Sequence, residues 1–232
     1  MCQKTNSLIL INKPVGLTSH DVINVLRRVT GIKKIGHTGT LDPFSSGLLP
    51  VLIGREATRQ QRNFLFLDKT YWVKIRLGAF SDTHDLTGKI IEKEVKEVPK
   101  NDIIKEALSK FVGGLDQKPP IFSAKKVKGK KAYQLARKGI RVELKPKRIK
   151  IYEIKLLSYQ WPFLETRIKV SAGTYLRKLA HDFGEKIGSG AYLEGLIREK
   201  IGMFDLKKAI DLKKITSENW QSYVISLTKV KF

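Results

Sequence analysis

Apolar positions along the chain change period several times, and each change marks an element. Leu8-Ile9-Leu10-Ile11 is an unbroken apolar run of strand length, closed by Asn12-Lys13-Pro14. Thr18 and Ser19 then offer helix N-caps, with Asp21 at the third position after Thr18. Val22, Val25, Leu26 and Val29 recur at i, i+3, i+4 and i+7 before Gly31, which predicts a short helix. Between residues 33 and 54, Gly36, Gly39, Gly47, Gly54, Pro43 and Pro50 break the periodicity, predicting a structured loop that enters a strand. Residues 70–77 alternate: Tyr71, Val73, Ile75 and Leu77 face one way, Trp72, Lys74 and Arg76 the other. This predicts a strand with one basic side, available to an anionic partner. Ile104, Ala107, Leu108 and Phe111 share a face and predict a helix over 102–111, ended by Gly113-Gly114. A short helical piece is expected over 132–138, paired strands over 149–159 and 163–170, and a helix over 175–186 that carries Leu176, Leu179, Ala180 and Phe183 on one face. Residues 193–232 mix short strand and helix patterns in no legible order. Strands scattered among helices without βαβ spacing predict an α+β fold on a mixed, mainly antiparallel sheet, in a single domain spanning residues 1–232.

Charge sharpens the picture. The 232 residues carry 45 Lys+Arg against 22 Asp+Glu, a formal +23, while 41% are hydrophobic, enough for a packed core. Such an excess of cations implies a polyanionic partner, because neutralising phosphates releases counterions. The segments 125–131 and 145–150 concentrate the lysines. The longest apolar runs, 48–53 and 64–67, are too short to cross a bilayer, and the amino terminus shows no signal-peptide pattern, so a cytoplasmic protein without a membrane partner is expected. The single Cys2 makes no internal disulfide. Neither a dinucleotide fingerprint nor a phosphate-binding P-loop occurs, and no heptad pattern argues against a monomer.

The most informative stretch is Gly36-His37-Thr38-Gly39-Thr40-Leu41-Asp42-Pro43, continuing Phe44-Ser45-Ser46-Gly47-Leu48-Leu49-Pro50. Its glycines allow close backbone approach, and Asp42 precedes a proline. On composition alone, a carboxylate held at a loop tip and a simple turn-initiating aspartate both fit.

This stretch resembles the signature of the bacterial TruB family of tRNA pseudouridine synthases, and the resemblance extends in order from about Leu8 to Arg198. Asn12-Lys13-Pro14 with Gly16-Leu17-Thr18-Ser19 resembles the family's opening. Asp68-Lys69-Thr70-Tyr71, Arg76-Leu77-Gly78 and Ser81-Asp82-Thr83-His84-Asp85-Leu86-Thr87-Gly88 resemble its second motif. Pro119 to Lys126, Gly129 to Tyr133 and Ala136 to Gly139 resemble its third, and Ser171 to Arg177 with Leu179 to Gly184 its fourth. The resemblance implies the pseudouridine synthase fold and an isomerase that breaks the C1′–N1 bond of a uridine, turns the base and rejoins it through C5. The implied target is the T-loop uridine at position 55 of tRNA, and the implied cofactors are none. Asp42 matches the catalytic aspartate, acting on the ribose either as a nucleophile at C1′ or as a base. Arg177 matches the cation that keeps this carboxylate charged, since burial alone would neutralise it. Tyr71 matches an aromatic that stacks on the displaced base. Tyr175 and Leu196 match positions that line the target site, and His37 a histidine near the flipped nucleotide. Lys125, Lys126, Lys128, Lys130, Lys131 and Arg148 are expected to contact phosphates. Asp82, His84 and Asp85 are expected to organise their loop without a metal.

The chain departs from the family at Arg55-Glu56, one residue longer than the usual spacing, and at Ser45-Ser46 in place of Ala-Thr or Ala-Ser. Only 28 residues follow Phe204, too few for the C-terminal PUA domain of many relatives. Two other classes compete: a non-catalytic RNA-binding protein, and a metal nuclease using Asp42 and Asp82.

Overall fold

The computed structural model describes residues 6–120, 126–127, 129–131, 140 and 144–230. In chain order these form β1 (Ser7–Lys13), α1 (Ser19–Thr30), β2 (Ile35–His37), β3 (Ser46–Ile53), α2 (Arg55–Arg59), α3 (Gln61–Leu65), β4 (Lys69–Leu77), β5 (Ala79–Ser81) and β6 (Ile90–Glu92). There follow α4 (Asn101–Ser109), β7 (Gly113–Gln117), β8 (Lys126–Val127), β9 (Lys130–Lys131), β10 (Lys147–Gln160), β11 (Phe163–Val170), α5 (Leu176–Lys186) and β12 (Ala191–Ile201). The short strands β13 (Phe204–Asp205), β14 (Ile210–Asp211) and β15 (Ile225–Ser226) alternate with single 3₁₀ turns. Two compact units result, one built from the chain up to Trp72 and from Leu196 onward, the other from Val73–Gly195.

In the first unit β1 is central. It pairs antiparallel with β3 from Ser7↔Ile53 to Lys13↔Gly47, antiparallel with β15 and parallel with β14. The β1 run is continuously apolar because both of its faces are covered. Ile9 and Ile11, with Leu49, Val51 and Ile53 of β3, pack on Val22, Ile23 and Leu26 of α1; Leu8 and Leu10 pack with Leu48, Leu52, Ala57, Phe64 and Phe204 on the opposite face. The expected capping box closes the start of α1: the Thr18 side chain accepts from Asp21 N, and Asp21 accepts from the Thr18 backbone. At its other end Gly31 takes the left-handed conformation, φ 70°, that a helix stop favours. The extra residue at Arg55-Glu56 falls in the exposed first turn of α2, and Ala57 is still buried.

In the second unit β11, β10 and β7 follow one another in the sheet, all antiparallel. Ile149, Ile151, Leu164, Ile168 and Val170 are buried on its strands. Of the helices, α4 buries Ile104, Ala107 and Leu108, and α5 buries Leu176, Leu179, Ala180 and Phe183, as their spacing predicts. The rings of Phe111 and Phe183 lie 6.1 Å apart. Three sequence expectations need adjustment. Helix α4 stops at Ser109, and Gly113-Gly114 open strand β7 instead of ending the helix. The basic side of β4 is engaged within the unit: Lys74 Nζ sits 4.3 Å from the centre of the Phe163 ring, and Arg76 meets Glu92 at 3.0 Å and the Tyr192 hydroxyl at 3.3 Å. Residues 191–201, patternless in sequence, form an eleven-residue strand. The helical piece expected over 132–138 lies outside the described residues. Among the described residues no helix is long and apolar enough to cross a membrane.

Candidate active site

Asp42 lies on the loop joining β2 to β3, half-buried, and the loop is anchored from several sides. Ser45 N donates to Asp42 O at 3.0 Å, so Asp42 initiates a turn within this anchored loop. Gly16 N, from the segment after β1, donates to Pro43 O at 2.8 Å, and Thr38 N donates to Pro50 O at 3.1 Å. The Ser19 hydroxyl, at the start of α1, brackets Leu41: it accepts from Leu41 N at 2.9 Å and lies 3.2 Å from Leu41 O, to which it donates.

Two buried cations that the motifs did not single out complete this neighbourhood. Arg198, in the half of β12 belonging to the first unit, is 2% exposed. Its Nε donates to Leu48 O at 2.8 Å, its Nη2 to Gly39 O at 3.0 Å and its Nη1 to Thr40 O at 3.4 Å, and the Tyr71 side chain is near enough to favour its charged form. Lys13, at the end of β1, donates to Pro14 O at 2.9 Å and Leu17 O at 2.6 Å. Burial pushes the Lys13 ammonium down to about 8, against the opposing pull of the Asp42 carboxylate.

Tyr71 is buried on β4, and Leu196 is half-buried two residues before Arg198, on the same face of β12. His37 is the last residue of β2. Burial, aided by the charge of Arg198, depresses its pKa to about 4, and Gly39 N donates to its Nδ1 at 3.3 Å. At neutral pH it is therefore an uncharged imidazole with Nδ1 occupied as an acceptor. Asp42, Tyr71, Leu196 and His37 thus all belong to the first unit.

Arg177 and Tyr175 belong to the second. Arg177, in the first turn of α5, donates from Nη1 to Asp85 Oδ2 at 3.0 Å, with the two side chains 11% and 2% exposed. The other oxygen, Asp85 Oδ1, accepts from the Thr83 hydroxyl, Thr87 N and the Thr87 hydroxyl, so this carboxylate is held rigidly in place. Tyr175 caps α5, with Gln117 accepting from its N–H at 2.8 Å and donating to its carbonyl at 3.1 Å. His84 stacks on His181 with ring centres 4.1 Å apart, and Asp82 accepts from Lys89 N at 2.9 Å. The three polar residues of this loop therefore serve different partners. Arg148 is exposed and meets Asp116 at 3.3 Å across the β10–β7 pairing. Lys126, Lys130 and Lys131 lie on the β8–β9 ribbon, which sets Lys126 opposite Lys131; Lys125 and Lys128 lie outside the described residues.

A carboxylate on a braced loop with buried cations nearby, on an α+β scaffold, is an arrangement able to serve a single-carboxylate reaction. Comparison with known proteins gives it a class. The model of the TruB family pseudouridylate synthases, N-terminal domain, matches residues 27–176. A tRNA pseudouridine synthase B of Protochlamydia amoebophila is 46% identical over 204 residues, covering 88% of this chain and 77% of the relative; that of Aquifex aeolicus is 43% identical over 220 residues, covering 94% and 76%. Among solved structures, one of a Cbf5-Nop10-Gar1 complex matches with a TM-score of 0.74 at 27% identity, over 98% of this chain and 58% of that one. The chain belongs to the TruB family of pseudouridylate synthases, and is accordingly an isomerase with the pseudouridine synthase fold.

Proposed function

We propose that this chain converts the T-loop uridine of tRNA, position 55, to pseudouridine, with Asp42 acting on the ribose. The relatives named tRNA pseudouridine synthase B support tRNA as the substrate, and the net charge of +23 suits a polyanion. The observation that carries the reading is the Asp42 loop, whose backbone is tied to α1, to the segment after β1 and to β12 before any substrate arrives. The reaction breaks C1′–N1, turns the base and forms C1′–C5; the C5 hydrogen leaves as a proton and N1 gains one, so substrate and product are isomers. One fixed carboxylate suffices to act on the sugar, with no cofactor or metal.

In this reading Arg177 is the cation that keeps the Asp42 carboxyl ionised. Tyr71 stacks on the displaced uracil, Tyr175 and Leu196 line the nucleotide's site, and neutral His37 stacks on or hydrogen-bonds to the RNA. Lys125, Lys126, Lys128, Lys130, Lys131 and Arg148 contact phosphates. The enzyme works as a cytoplasmic monomer.

The test is tritium release from tRNA transcripts labelled at uridine C5. Wild type is expected to release label without added metal or cofactor, Asp42→Asn to bind the RNA and release none, and a transcript with cytidine in place of the T-loop uridine to yield none. Release by Asp42→Asn, or from the cytidine transcript, would overturn the assignment of the residue or of the position.

A further inference from the structure

Arginine is among the residues least often buried, and an interior guanidinium persists only where its donors are met. Arg198 is 2% exposed and belongs to none of the groups assigned above to the chemistry. Its three carbonyl partners come from two places: Gly39 and Thr40 precede Asp42, and Leu48 follows it. One planar fork therefore spans the catalytic loop, gripping it on both sides of the carboxylate. The Tyr71 side chain, on β4, is near enough to favour the guanidinium's charge.

The backbone is shaped to admit this arrangement. β12 runs parallel to the start of β3, with Ile197 opposite Ser46 and Arg198 opposite Gly47. Gly47 has φ +106°, and a Cβ there would lie 2.5 Å from Arg198 O and 2.7 Å from Arg198 N, so only glycine lets the two strands approach this closely. The hydrogen-bond partners named here are three neutral carbonyls, which meet the donors of a guanidinium without neutralising its charge. That charge is felt at both His37 and Lys13, each of which it disfavours in the protonated form. A merely structural tie between two carbonyls would be met at lower desolvation cost by a neutral amide.

We infer that Arg198 is a positioning residue for the isomerisation: its buried guanidinium fixes the Asp42 loop from both ends. The inference rests on Asp42 being the catalytic carboxylate. Its physical content is that Arg198 sets the placement of Asp42 through the backbone on either side of it, and misplacement by about 1 Å costs on the order of 10²-fold in rate.

The experiment compares wild type, Arg198→Lys, Arg198→Met and Asp42→Asn by single-turnover tritium release at saturating enzyme, by tRNA binding and by thermal melting. Arg198→Lys keeps the charge but loses the fork, and Arg198→Met loses both. Arg198→Met is expected to lower the single-turnover rate roughly 10²-fold and Arg198→Lys by less, with tRNA affinity within about twofold of wild type and the losses persisting well below each variant's melting temperature. A wild-type single-turnover rate in Arg198→Lys and Arg198→Met, with Asp42→Asn inactive, would overturn the role of Arg198 and leave Asp42 in place. Rate losses that vanish on cooling below the melting transition would reduce Arg198 to a purely structural residue and would equally overturn it. If Arg198→Met fails to fold, Arg198→Lys alone decides by the same criteria. Activity in Asp42→Asn would remove the foundation of both readings.

Discussion

At the scale of single residues, the first unit contains a histidine whose charge state is set by its surroundings. His37 titrates ordinarily near 6.5, and burial first, then the Arg198 charge, brings it to about 4. A histidine with a depressed folded pKa stabilises the fold fully above the unfolded value; between pH 6.5 and 4 the unfolded chain takes up the proton and the folded one does not, so stability falls as pH falls. At complete burial the difference corresponds to about 3 kcal/mol. Chemical denaturation at pH 7 and at pH 4.5 should show a loss for wild type that His37→Gln reduces by about 1–3 kcal/mol; an identical loss in both proteins would contradict the burial argument. The Asp42 turn was legible in the sequence, since Asp-Pro in a Gly-rich loop is a turn signal, and Ser45 N donates to Asp42 O as that signal predicts. Arg198 and Lys13 were not legible as site residues. Lysine and arginine default to the surface, and what buries this arginine is a set of carbonyls from a loop about 150 residues earlier, which no local pattern contains.

The element that prepares the site is α1. Its N-terminus carries two adjacent hydroxyls with separate tasks: Thr18 closes the capping box, while Ser19 turns away from the helix to bracket Leu41, the residue before Asp42. Both were readable as N-caps, but only the fold divides their labour. Ser19→Ala leaves a buried N–H and carbonyl of Leu41 without that partner, at a cost of about 1–3 kcal/mol, and loosens the Asp42 loop. The expected signature is a lowered kcat with little change in KM for tRNA, together with a reduced melting temperature. A variant that melts early but turns over at the wild-type rate at low temperature would show that Ser19 serves folding alone. Elements with their own periodicity were legible throughout: α1, α4, α5, β4 and the β10–β11 hairpin follow their 3.6- or two-residue patterns. β12 was not, because its residues Glu194, Gly195, Arg198, Glu199 and Lys200 interrupt any alternation. That strand is specified by its neighbours, including the Arg198–Gly47 register. Gly113-Gly114 misled for a related reason: a glycine pair punctuates helix and strand alike, and here it opens an edge of the β10 sheet.

Over the whole molecule the dominant quantity is the charge of +23, and among the described residues several cations are already engaged. Arg177 is paired with Asp85, Arg76 with Glu92 and Tyr192, Lys74 with the Phe163 ring, and Arg148 with Asp116. The Arg148 pair is exposed on both sides and contributes little to stability, so RNA phosphate could displace Asp116 without much loss. The β8–β9 ribbon is different. Its strands carry Lys126, Lys130 and Lys131, three cations within six residues of the lysine-rich segment 125–131. That density of lysine in the sequence suits a polyanion, which makes the ribbon the first place to look for RNA contact. Replacing Lys126, Lys130 and Lys131 with glutamine should therefore raise KM for tRNA, leave the single-turnover rate at saturating enzyme unchanged, and reduce the slope of log affinity against log salt concentration by about 2–3. Binding titrations of wild type and the triple variant between 50 and 200 mM salt, roughly the range over which such slopes are resolved, measure this directly. An unchanged slope would mean that phosphate is held elsewhere on the basic surface, and a lowered chemical rate would mean that the ribbon acts on the reacting nucleotide as well as on the backbone around it.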